Sequence, residues 1–243
     1  MSWRAWWTPA ALFAFAVLIT WPAAVTGNVL GHQPDALGTV WFLDSAPRLF
    51  GDFTDALTGF PGGVRYGRPD SFTLLVIGKL LAFVPAPRLY AWLLVVGVTA
   101  SAWATEAFAR SLGARAPWSM LAGMAFVSCG LASTAMLEGY GYHLLDPWLP
   151  LFALSWHRAT SPGGTPWHGA LAAVTFLLAL VTTAWLGLAA TLLAVGFFAG
   201  GLARGKMSWR AVLTAPVLLV LPLGAYVVAF AAGGGAAGTG DSA

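Results

Sequence analysis

The sequence predicts an all-α, polytopic integral membrane protein of about seven or eight transmembrane helices, with one long external loop carrying an interfacial helix. Three observations predict it. Hydrophobic residues make up 58% of the chain and charged residues 9%, against about 25% charged in soluble domains. The apolar residues come in nearly uncharged runs of roughly 15 to 25 residues, the pattern of bilayer-spanning helices and not of one-sided amphipathic stripes. Thirteen Trp, mostly near the ends of these runs, suit the interfacial layer of a bilayer.

The net charge of +3 and pI near 9.4 then need no nucleic-acid partner, because a Lys/Arg bias is what orients a membrane chain. Cys129 is the lone cysteine. It excludes an internal disulfide and reads as a buried, inert thiol.

Taken in order, residues 6–25 form the first expected span, with Pro9 and Pro22 near its ends, where a missing backbone donor is tolerated. Arg4 ahead of an apolar run also suits a secretory signal peptide. The length of the run and the spans behind it favour a retained anchor. Residues 26–70 make the external loop and hold five of the nine acidic residues, Asp35, Asp44, Asp52, Asp55 and Asp70. Within it, residues 34–50 are expected to form a short surface helix opened by Pro34. Asp44 and Arg48 can pair across one turn of that helix, and Asp35 has no such cation nearby.

Residues 71–84, with Lys79 among them, are short for a span of about 20 residues. Read as a re-entrant or interfacial segment, they leave Arg4, Arg110, Arg115, Arg158, Arg204, Lys206 and Arg210 on the cytoplasmic side. A full crossing stays open; it moves Arg88 inside and Arg110 and Arg115 outside. Spans follow over residues 89–109, with Glu106 and Arg110 paired, and over 117–136. Asp146 and Pro147 are expected to start a helix as N-cap and first residue. Residues 167–203 carry no formal charge and are too long for one span, so a helical hairpin is predicted with its turn near 182–185. Gly196 and Gly200 give a small-xxx-small pair, a helix-packing signal. The last span is 211–231. The transmembrane domain is thus 1–231, and 232–243 is a Gly-rich tail of disordered composition.

This topology gathers His32, Asp35, Arg65, Arg68, Glu138, Tyr140, Tyr142 and His143 on the outer side. Carboxylates and imidazoles at an interface can hold a divalent ion or act as a general base. Two arginines can hold a phosphate. Each residue also has a plain role: Asp35 as a first-turn carboxylate, Arg65 and Arg68 against lipid headgroups, Tyr142 and His143 as interfacial side chains. His157 and His168 read as solvated groups near the inner loops.

Gly31-His32-Gln33-Pro34-Asp35 with Trp41 six residues on, then Phe60-Pro61-Gly62-Gly63, then Glu138 and Trp148-Leu149-Pro150-Leu151, follow one another along the chain. The order resembles the N-terminal half of bacterial polytopic glycosyltransferases of the GT-C superfamily, especially YfhO-like and myxobacterial-type membrane proteins, over residues 6–158. The resemblance implies a bacterial inner-membrane glycosyltransferase, truncated or divergent, that uses a polyprenyl-phosphate-linked sugar donor at the external face. By position it implies that Asp35 is catalytic, as base toward the acceptor hydroxyl or as ligand of a divalent metal ion; Glu138, on the same outer face, is the second candidate catalytic carboxylate. His32, Arg65, Arg68, Tyr142 and His143 would bind substrate. The implied partners are a lipid-linked sugar, membrane lipids and a membrane protein, with no nucleic acid. Asp35 lacks the adjacent acid of an Asp-x-Asp pair, which departs from the pattern. The alternative is a non-catalytic membrane subunit of a polysaccharide or lipid export assembly, in which Asp35 and Glu138 are dispensable. A transporter ranks behind both, since Lys79 alone suits a midplane ionisable group.

Overall fold

The computed structural model describes residues 4–21, 23–27, 29, 34–49, 54–55, 64–65, 72–129, 147–205 and 207–234. Among them ten helices form a bundle: α1 (Arg4–Ile19), α2 (Ala23–Thr26), α3 (Pro34–Leu49), α4 (Phe72–Leu80), α5 (Ala86–Ser111), α6 (Trp118–Ser128), α7 (Trp148–Ala159), α8 (Pro166–Thr182), α9 (Ala184–Ala203) and α10 (Trp209–Gly234). Two strands of two residues, β1 (Thr54–Asp55) and β2 (Val64–Arg65), pair antiparallel with Thr54 opposite Arg65.

Local chemistry sets most helix ends. Pro85 precedes α5 and Arg110 lies in its last turn, where a cation meets the negative end of the helix dipole. Gly113 (φ +97°) and Gly205 (φ +64°) follow α5 and α9, in the left-handed conformation that a glycine adopts at low cost. Thr165 stands extended before Pro166 and its backbone N–H donates to His168 Nδ1 at 3.1 Å. Thr183 (φ −162°, ψ 146°) is the single extended residue between α8 and α9.

Side-chain contacts fix the helix directions. Ser119 on α6 reaches Glu106 on α5, and Gly123 lies against Ala102, so these two run antiparallel. Phe152 and Phe176 meet across antiparallel α7 and α8. Trp156 Nε1 donates to the Ala194 carbonyl at 3.0 Å, and Gly201 lies against Thr160, so α7 and α9 run in parallel. Gly169 lies against Ala211, which sets the starts of α8 and α10 side by side. Gly27, just past α2, lies beside Arg88, so α1 begins at the end of the bundle where α5 finishes.

Two cores result. The first gathers Leu12, Leu43, Leu74, Tyr90, Leu94 and Val127 from α1 and α3 to α6. The second gathers Phe152, Trp156, Ala172, Ala190 and Val212 from α7 to α10. Phe108 joins them, ring-packed against His157 and Phe197. So does a buried hydrogen bond of 3.1 Å between the Thr73 and Thr182 hydroxyls.

The expected architecture of about seven or eight spans is corrected here. Two helices among the described residues are long and apolar enough to cross a bilayer, Ala86–Ser111 and Trp185–Ala203. The reason is helix length. At about 1.5 Å per residue, α1 (16 residues), α6 (11 residues) and α8 (17 residues) fall short of a hydrocarbon layer of about 30 Å. Helix α10 runs Trp209–Gly234 with Pro216 and Pro222 inside it, and its continuously described apolar part is Trp209–Ala225. Apolar composition runs further than the helices do: residues 6–25 break after Ile19, and α6 stops at Ser128.

Smaller expectations also change. Cys129 is exposed, not buried. Helix α7 is capped at Pro147 and starts at Trp148. A Cβ at Gly196 or Gly200 would meet nothing within 4 Å, so this pair packs no helix; close helix approaches are at Gly78, Gly123 and Gly169. The local ion pairs form as expected, Arg48 to Asp44 at 4.0 Å and Arg110 to Glu106 at 3.5 Å.

Candidate functional site

Of the residues expected to form a site, Asp35 is the second residue of α3 and Arg65 lies in β2. Their side chains lie outside the described residues. His32, Arg68, Glu138, Tyr142 and His143 lie outside them altogether. Among the described residues no three of His, Cys, Asp and Glu come together as metal ligands. A cleft of about 250 Å³ between α3, α4 and α5 is lined by Leu43, Asp44, Pro47, Gly78, Phe83 and Ala86. Its lone carboxylate belongs to the Asp44–Arg48 pair, so it offers no acid–base couple.

What the helix directions do assemble is one strongly basic end. The C-termini of α5, α7 and α9 and the N-termini of α6, α8 and α10 meet there. Arg110 ends α5, Arg115 precedes α6, Arg158 ends α7, Arg204 caps α9 and Arg210 opens α10. All five are exposed. Three of them sit at helix C-termini, where the dipole favours a cation. Arg115 and Arg210 sit at N-termini, where it does not, so helix electrostatics alone does not account for the cluster.

Glu106 is the carboxylate at this end among the described residues, and it points inward. Its residue is 3% exposed. Ser119 Oγ donates to Glu106 Oε1 at 3.1 Å, and Arg110 Nη1 lies 3.5 Å from the same oxygen. One cation is thereby partly neutralised, and four face outward. Trp118, Trp167 and Trp209 open α6, α8 and α10 between them, 69%, 71% and 53% exposed.

His157 and His168, expected to be solvated, both have structural work. The His157 ring packs against Phe108 and Phe197, with centroids 6.4 and 5.5 Å away. Burial, followed by the charges of Arg204 and Arg158, pushes its pKa below the ordinary histidine value, and a hydrogen bond to the Ser111 backbone opposes the shift. Its Nδ1 is buried without a partner. His168 caps α8 through Thr165. The role of His157 does not show in the sequence, because Phe108, Ser111 and Phe197 are brought to it only by tertiary packing, whereas Thr165 and His168 stand at the local N-cap and N3 spacing.

The flank between the two bundle ends is apolar and open. Phe13 and Leu18 on α1, Val96 on α5, Leu192 on α9, and Val217 and Leu221 on α10 are all exposed. At the far end Trp21 and Trp185 stand exposed as well. An apolar band thus lies between two rims that both carry Trp.

The glycosyltransferase reading is corrected by these findings. The described residues contain two helices fit to span and not a polytopic array, and no metal-ligand cluster or catalytic groove among them. The bacterial inner-membrane placement rested on that array and falls with it, and the export-subunit alternative finds no support either. Comparison of the chain with protein-family models, with curated proteins and with solved structures gives no match, so the GT-C resemblance stands on short motifs alone and is withdrawn.

Proposed function

We propose that the chain is a helical scaffold that works in contact with lipid, its apolar flank against acyl chains. The observation that carries this reading is the exposed apolar band on α1, α5, α9 and α10. Exposed apolar patches well above a few hundred Å² mark interaction surfaces. The band is spread over helices of both cores, which suits a fluid apolar partner better than one protein interface of ordinary size. Trp at both rims fits the same partner, because an indole places its ring against hydrocarbon and its N–H toward water.

Among the described residues eight Trp, including Trp92 and Trp103 on the flank of α5, are exposed. Full-length protein is therefore placed in phosphatidylcholine vesicles and in vesicles whose acyl chains carry bromine, a contact quencher. The expected result is a loss of more than about half of the Trp emission in the brominated lipid. Equal emission in both lipids, or a protein that stays in the aqueous phase as a defined oligomer, overturns the reading.

A further inference from the structure

We propose that the basic end of the bundle is a docking surface for anionic lipid headgroups, an inference that rests on the lipid-contact reading and adds a lipid class and an orientation. Arg115, Arg158, Arg204 and Arg210 are exposed there, and Glu106 is turned into the α5–α6 interface with Arg110. Trp118, Trp167 and Trp209 stand among the cations at the same level. A guanidinium fork matches a phosphate diester, and an indole beside it sits at headgroup depth.

Among the described residues the far end lacks this character. There Arg48 bonds Ser45 Oγ at 2.9 Å and lies 4.0 Å from Asp44, and Lys79 Nζ donates to the Pro47 carbonyl at 3.3 Å. Of the cations described at that end, Arg88 is the exception with no such acceptor. Among the described residues the two ends therefore differ in the number of cations left for an outside anion. That asymmetry orients the chain on an anionic surface with α6, α8 and α10 starting at the headgroups. The buried position of Glu106 matters here, since an outward carboxylate would repel the same headgroups.

The test dilutes full-length protein from mild detergent into neutral phosphatidylcholine vesicles and into vesicles that also contain phosphatidylglycerol, and measures partitioning by flotation. Each exposed Arg contributes about a fivefold preference for the anionic vesicle at low salt. The variant carrying Arg158→Gln, Arg204→Gln and Arg210→Gln together is expected to lose about a hundredfold of that preference and to keep its binding to neutral vesicles. The matching Lys variant is expected to retain most of it, which separates lost charge from lost fold. Raising salt from about 0.1 M to about 1 M shortens the screening length from about 10 Å to about 3 Å and should erase the preference of the wild type.

Equal binding of the wild type to both vesicles overturns the inference, as does a Gln variant with undiminished preference. Loss of the preference on adding millimolar inorganic phosphate at constant ionic strength also overturns it, since the site would then be one for free phosphate. Failure to bind either vesicle overturns the lipid-contact reading itself.

Discussion

At the scale of single residues, the most consequential polar contact is the one between Ser119 and Glu106. Ser119 is fully buried and Glu106 nearly so, and the hydroxyl donates to the carboxylate at 3.1 Å. A hydrogen bond to a charged group contributes about 1.5–3 kcal/mol, and its loss leaves a buried acceptor short of a donor. Ser119→Ala is therefore expected to cost about that much in a denaturant titration. Arg110→Gln, at a side chain 64% exposed, is expected to cost less than about 1 kcal/mol, because solvent screens that partner. A larger loss for Arg110→Gln than for Ser119→Ala would assign the stabilisation to the ion pair. The two partners of Glu106 also show what a sequence discloses. Arg110 is one helical turn away and follows from spacing, as Arg48 follows from Asp44. Ser119 lies across the α5–α6 turn, and only the packed pair of helices brings it in.

At the scale of elements, close helix crossings decide which glycines matter. A Cβ at Gly169 would run into the Ala211 carbonyl of α10 and approach Thr214, and a Cβ at Gly196 would meet nothing within 4 Å. Backbone cannot retreat as a flexible side chain can, so Gly169→Ala is expected to cost about 1–3 kcal/mol through forced separation of α8 and α10. Gly196→Ala is expected to be neutral or to stabilise by up to about 1 kcal/mol, since Ala forms helix better than Gly. Thermal melting of the two variants side by side checks this, and a Gly169→Ala protein as stable as wild type would mean that the two helices do not cross there. The sequence pointed to the wrong pair, Gly196 and Gly200, because spacing reports which residues share a face and not what that face meets. Element lengths were misread for a related reason. Hydropathy measures the extent of an apolar run, and helix length depends on breaks such as the one after Ile19. The α8–α9 turn was legible because a charge-free run of that length cannot be one helix, and it falls at Thr183. The expected site falls on motifs whose side chains, from His32 to His143, lie outside the described residues. The basic end was present in the sequence only as scattered Arg, and the helix directions are what unite it.

At the scale of the whole molecule, two main cores meet where α5 packs on α7 and α4 on α8. Phe152 sits in the second core, 3% exposed, stacked on Trp156 at 6.2 Å and edge-on to Phe176 at 5.6 Å. Its link to the first core runs through His157 and Phe197, which pack on Phe108, and through the Thr73–Thr182 hydrogen bond. The hydroxyl of Thr182 also donates to the Leu178 carbonyl at 2.7 Å, so breaking the joint at Thr73 leaves it satisfied. The polar part of that joint can therefore open at low cost. Phe152→Ala removes about 3–5 kcal/mol of packing, and the loss is expected to stay within its own half. Amide hydrogen exchange should then quicken across α7, α8 and α10 while α5 and α6 keep their protection. Uniform loss along the chain would show one cooperative unit. The division bears on the docking surface, because Arg115 comes from the first half and Arg158, Arg204 and Arg210 from the second. A variant that loosens the second half should therefore weaken the preference for anionic vesicles through disordered guanidinium positions, with every arginine still in the chain.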